Sequence, residues 1–73
     1  MLEQIITIIR QYVNEALEIR EETNLITDLG LTSFDLASMA ADFEDEFDIS
    51  IETTELMDIK TVGDIEACIR SHL

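Results

Sequence analysis

The sequence has no proline and no tryptophan, two glycines, one cysteine, one histidine and only four basic residues. Each scarcity closes off a class of protein. A single cysteine, Cys68, rules out an intramolecular disulfide framework, and with no second cysteine and no clustered histidines nothing in the sequence supports a zinc site. His72, the sole histidine, stands one residue from the C-terminus, where chains fray. A Ser/His/Asp constellation, which needs its histidine held in a cleft, is therefore not expected. The opening MLEQIITIIR has neither a basic leader nor a long apolar run, so neither a signal peptide nor a membrane span is expected. The resulting expectation is a free-standing, monomeric, cytoplasmic protein.

What is present fits one small domain spanning residues 1–73. A chain of this length buries roughly 60–65% of the surface its unfolded form exposes. Apolar residues make up 47% of it, enough for one core but not for a core plus a deep cleft. With three Phe and one Tyr, aliphatic side chains must do most of the packing. Catalytic constellations need several positioned groups and a supporting layer behind them. An autonomous enzyme is accordingly not expected.

Seventeen acids face four bases, a formal net charge of −13, and between Glu21 and Glu66 the sole base is Lys60. A field of that sign repels nucleic acid and anionic membrane and steers the chain toward basic protein surfaces. The acids do not form an EF-hand. In the window Asp42 to Thr53, Phe47 stands where the loop needs glycine and Thr53 where it needs glutamate. Glu44, Asp45 and Asp48 could hold a divalent ion only loosely.

Leu2, Ile5, Ile6, Ile9, Tyr12, Val13 and Ala16 recur at helical spacing and predict a first amphipathic helix. From about Leu17 to Thr32 the period breaks. Thr23, Asn24, Thr27, Asp28 and Gly30 mark a long loop, and Leu25, Ile26, Leu29 and Leu31 are expected to pin it to the core. A second helix is predicted from Ser33 to about Phe47, with Leu36, Met39, Ala40, Phe43 and Phe47 inward. Its start carries a capping box, Thr32 as N-cap and Asp35 three residues on. A short third helix is placed at Thr54–Asp58, with Leu56 and Ile59 inward. A second capping box, Thr61 to Asp64, opens the last helix, whose core stripe is Val62, Ile65 and Ile69. Cys68, next to Ile69, is read as a small buried hydrophobe. The expected fold is all-α: a small four-helix bundle, three main helices plus one short one, with a long first loop.

Ser33 is the residue with the strongest chemical promise. It opens a helix, just after the cap, where unsatisfied N–H groups and the positive end of the helix dipole favour a phosphate. Position alone favours an ordinary first-turn serine. The surrounding residues carry more. Asp28-Leu29-Gly30-Leu31-Thr32-Ser33-Phe34-Asp35-Leu36 resembles the attachment motif of acyl carrier proteins, a leucine-glycine pair leading to Asp-Ser-Leu. Phe43 through Ile51 is similar to that family's acidic second helix and the loop after it, and Ile59 through Ile65 to the start of its last helix. The three segments match in register, without gaps, over nearly the whole chain.

That resemblance implies a covalent 4'-phosphopantetheine arm on Ser33, installed by a phosphopantetheinyl transferase from coenzyme A. The arm's thiol would carry acyl or aminoacyl groups as thioesters between acyl-activating and acyl-transferring enzymes with basic docking patches. It further implies that Phe34, Ala37 and Ala41 are apolar partner-facing positions, with Asp35, Glu44 and Asp45 as acidic contacts. Positions 34, 37, 41 and 44 do share one helix face. Thr32 stands where the family usually has aspartate, Phe34 where it has leucine, and Ser38 where it often has a docking acid. These departures point away from housekeeping fatty-acid synthesis toward a specialised carrier, whose cargo depends on enzymes elsewhere. The competing class is an unmodified acidic helical adaptor for a basic partner. Charge and helix pattern suit both, and the serine motif favours the carrier.

Overall fold

The computed structural model describes residues 1–13 and 17–73. Among these residues the chain forms four helices and no strand: α1 Leu2–Arg10, α2 Ser33–Phe47, α3 Thr53–Met57 and α4 Val62–Ser71. Helix α1 contacts α2 and α4, and α3 lies against α2. Between them sits an almost wholly aliphatic core of Ile5, Ile8, Ile9, Leu36, Met39, Phe43, Val62, Ile65 and Ile69. The expected stripes of α2 and α4 face this core, with Ala40 and Phe47 half-buried at its edge.

Helix α1 is shorter than its apolar spacing predicts. It ends at Arg10, where the Gln11 and Tyr12 N–H groups donate to Ile8 and Ile9 carbonyls and tighten the last turn. The Arg10 guanidinium then donates to the Leu17 carbonyl at 3.1 Å. Tyr12 and Val13 still pack on the core, but from a turn rather than a helix. That is why the spacing overran the element. Ala16, the last position of the expected stripe, lies outside the described residues.

The long loop is a structured part of the core. Within it, the Asn24 side-chain oxygen accepts from the Ile26 and Thr27 N–H groups, each at 2.9 Å, and Asp28 accepts from the Asn24 N–H at 2.8 Å. Gly30, at φ 70, turns the chain into Leu31, whose N–H reaches the Leu25 carbonyl at 3.0 Å. Leu25 and Leu31 are buried and Leu29 is half-buried, as expected, but Ile26 is 43% exposed because the turn rotates it outward. Three backbone bonds fasten the loop to the entry of α4. Leu25 donates to Lys60 at 2.9 Å, Val62 to Thr23 at 3.1 Å, and Gly63 to Glu21 at 2.8 Å.

Both threonine capping boxes form. Thr32 Oγ1 accepts the Asp35 N–H at 3.1 Å while Asp35 accepts the Thr32 N–H at 3.0 Å, and Thr61 and Asp64 repeat the arrangement. Helix α2 ends at Asp48, in the left-handed region at φ 54, which a short polar side chain tolerates. The fragment Ile49–Ile51 is loop, held by the Ile51 N–H donating to the Glu44 carboxylate at 2.8 Å. Helix α3 begins one residue earlier than expected, with Glu55 accepting the Glu52 N–H at 2.9 Å.

Candidate functional site

Ser33 is the first residue of α2 and is exposed. The bonds that hold it there are local. The capping box engages the amide of Asp35, leaving the N–H groups of Ser33 and Phe34 at the helix mouth, beyond reach of the helix ladder. An open groove runs beside the serine, lined by Ile26, Leu36, Thr53, Leu56, Met57, Ile59 and Lys60. Its lining is mainly apolar, and the rim is unusually so for a small acidic domain. Met57 is 75% exposed, and Phe34, next to Ser33, is 79% exposed. The loop residue Ile26 and the α3 residue Met57 thus join a site that sequence spacing assigned to α2 alone. Their signal was obscured because one was expected in the core and the other carried no pattern.

The remaining expected residues divide by what else they do. Ala37 and Ala41 are exposed on the same face as Phe34, and Asp45 is exposed nearby on α2. Asp35 is half-buried and spends one oxygen on the capping box. Glu44 is half-buried and holds the Ile51 amide, so one of its oxygens already serves the fold. Helix α2 contains no basic residue. Arg20 pairs with Glu18 at 2.5 Å and with Glu22 at 3.9 Å, and Arg70 pairs with Glu66 at 3.5 Å, all away from α2. The negative field of α2 therefore faces outward without a basic counterion on the helix itself.

Behind the groove, an apolar cavity lies between Leu36, Met39, Ala40, Phe43, Ile51, Leu56, Ile59, Ile65 and Cys68, with a volume of ≈ 10 Å³. That is about the room of one water molecule. The cavity is too small to hold more than that, and its walls come from α2, α3, α4 and the segments on either side of α3.

Two residues depart from expectation. Cys68 is half-buried rather than buried, and its Sγ lies 3.8 Å from Glu55 Oε1. His72 is not a frayed end, because its Nε2 sits 2.7 Å from the same oxygen. Burial and then the nearby Glu55 charge push the Cys68 thiol above its usual range. The Glu52 amide, followed by His72, holds the Glu55 carboxyl below its own. No local pattern links Glu55 to the end of α4, and only the fold brings them together.

A solvent-facing hydroxyl thus stands at an amide-lined helix start, with a mainly apolar groove beside it and an acidic helix behind it. The family model described as the phosphopantetheine attachment site matches residues 3–69. An acyl carrier protein of Thermotoga maritima is 37% identical, covering 97% of this chain and 94% of its own. One from an Exiguobacterium species is 38% identical over 97% and 96%. In structure, a putative acyl carrier protein from Mycobacterium tuberculosis superposes with a TM-score of 0.89 at 33% identity, covering 96% of this chain and 95% of that one. The chain belongs to the acyl carrier proteins, the family whose cofactor is covalent phosphopantetheine. The residues present fit that group: an exposed hydroxyl can be esterified, two free amides can meet a phosphate, and the groove can support an arm. When attached, the arm supplies a thiol that holds cargo as a thioester.

Proposed function

We propose that Ser33 is the attachment residue and that the chain is a thioester carrier with no catalysis of its own. The observation that supports this best is the exposure of the serine at the capped start of α2, within the segment that resembles the family's attachment motif. Esterification forms a bond from Ser33 Oγ to phosphorus, breaks the pyrophosphate bond of coenzyme A, and releases adenosine 3',5'-bisphosphate together with the serine proton. The first-turn amides and the helix dipole favour the phosphodiester's negative charge. The chain's own part is to present the hydroxyl, screen nothing in front of it, and offer the arm a groove.

Phe34, Ala37 and Ala41 supply the apolar centre of a docking face, and Asp35, Glu44 and Asp45 its acidic rim. The partners on this reading are a phosphopantetheinyl transferase and acyl-activating or acyl-transferring enzymes whose patches are basic. On this reading the carrier is a cytoplasmic monomer; among the described residues no helix is long and apolar enough to cross a membrane. The large exposed Phe34 and the uncharged Thr32 and Ser38 favour a specialised pathway over housekeeping fatty-acid synthesis.

Incubation with coenzyme A and a broad-specificity phosphopantetheinyl transferase, read by intact mass, tests the proposal. Wild type should gain one phosphopantetheine and Ser33→Ala none. A wild-type chain that takes up no arm would leave the acidic-adaptor reading in its place.

A further inference from the structure

Glu55 of α3, Cys68 of α4 and His72, the residue capping the end of α4, bring three different ligand chemistries to one point. Their ligating atoms all lie within 4.8 Å of one another. Cys68 and His72 are one helical turn apart, so both project from the same side of α4, and Glu55 meets them across the gap between helices. We propose that these three residues form a binding site for a borderline-soft divalent cation, Zn²⁺, with its fourth position open to solvent.

The chemistry selects the metal. A thiolate, an imidazole and a carboxylate are the usual ligands of zinc, whereas calcium and magnesium ask for oxygen alone. Tetrahedral zinc, with bonds of about 2.0–2.3 Å, sets its ligand atoms roughly 3.3–3.6 Å apart. Here Nε2 and Oε1 are 2.7 Å apart and Sγ and Oε1 are 3.8 Å apart. The first pair must open by about 0.6 Å and the second close by about 0.2 Å, which side-chain torsions can supply. The site is also accessible. Glu55 and Cys68 line an open groove with Asp58, Asp64 and Ala67, which leaves room for a water as fourth ligand and adds negative charge around the ion.

Occupancy would have a mechanical consequence. Helix α3 makes few contacts of its own and none of its residues is fully buried. Yet Leu56 walls both the apolar cavity and the groove at Ser33, and Thr53 and Met57 line the latter. A metal bridging Glu55 to the end of α4 would hold α3, and with it this shared wall, against α4.

Metal titration of the full chain tests the site with two probes, Zn²⁺ by calorimetry and Co²⁺ by absorption. Both are run on wild type and on Ser33→Ala, each shown by intact mass to carry no arm, in excess Mg²⁺ to suppress loose binding to the acidic face. The site predicts one Zn²⁺ per chain, a thiolate-to-cobalt charge-transfer band in Ser33→Ala, and a raised thermal midpoint with Zn²⁺. Cys68→Ser and His72→Ala should each weaken Zn²⁺ at least tenfold, and Cys68→Ser should remove the band. Absence of the band in Ser33→Ala, affinity unchanged in both ligand variants, or one Zn²⁺ shared by two chains would overturn the proposal. Because intact mass shows each sample free of any arm thiol, the reading does not depend on where the arm is attached.

Discussion

The Tyr12 hydroxyl donates a hydrogen bond to the Asp42 carboxylate, tying the turn after α1 to the middle of α2. The bond is to an anion, and it holds the Tyr12 proton. Chiefly for that reason, with burial second, the phenol is pushed up to about 12. A group whose folded pKa is raised contributes stability that is complete below its unfolded value near 10 and is lost as pH rises toward the folded value. Tyr12→Phe should therefore cost about 1 kcal/mol at neutral pH. The gap between the variant and wild type should close between pH 10 and 12 in urea titrations at a series of pH values. A gap that is constant over that range would show that the hydroxyl does not titrate against Asp42.

Leu25 is fully buried although it sits in the long loop. If the loop is core, its truncation must cost what a helix-core truncation costs. Leu25→Ala should lower stability by about 3 kcal/mol, within the range for buried leucines. A loss under about 1 kcal/mol, measured by the urea midpoint, would mean that the loop only covers the bundle.

Asp64 accepts bonds from the N–H groups of Thr61 and Lys60, and these hold its carboxyl below the ordinary aspartate range. The sign is opposite to that of Tyr12. The stabilisation is present above the unfolded pKa near 4 and is lost as pH falls through the folded one. Asp64→Asn keeps an acceptor but removes the titration. Its thermal midpoint should fall below wild type at pH 6, and the two should converge under acid conditions. Parallel curves down to the acid transition would contradict the assignment.

With a net charge of −13, and no base on α2 to answer its acids, the folded state repels itself. Raising monovalent salt from very low levels to 0.1 M, where screening acts over about 10 Å, should raise the thermal midpoint. A flat or falling midpoint would mean that the acids are already compensated within the fold.

What could be read from the sequence was what is local. The Thr32–Asp35 and Thr61–Asp64 boxes declare themselves because cap and partner are three residues apart, and both form as expected. The inward stripe of α2 is likewise a matter of period. The end of α1 was not legible, because Tyr12 and Val13 keep the apolar spacing while leaving the helix. Nor was the outward turn of Ile26, which Asn24 and Gly30 impose through backbone geometry. Contacts made only by folding escaped altogether: the bonds from Glu21, Thr23 and Leu25 to the start of α4, the Met57 wall beside Ser33, and the meeting of Glu55 with Cys68 and His72. Ser33 was singled out by its motif, and the groove beside it was not legible.

The central claim is chemical and confined to one oxygen. Tandem mass spectrometry of the modified chain should locate the arm on the peptide containing Ser33, with fragments on either side assigning the added phosphopantetheine to that residue. An arm found on Thr32, Ser38, Ser50 or Ser71 instead would contradict the account.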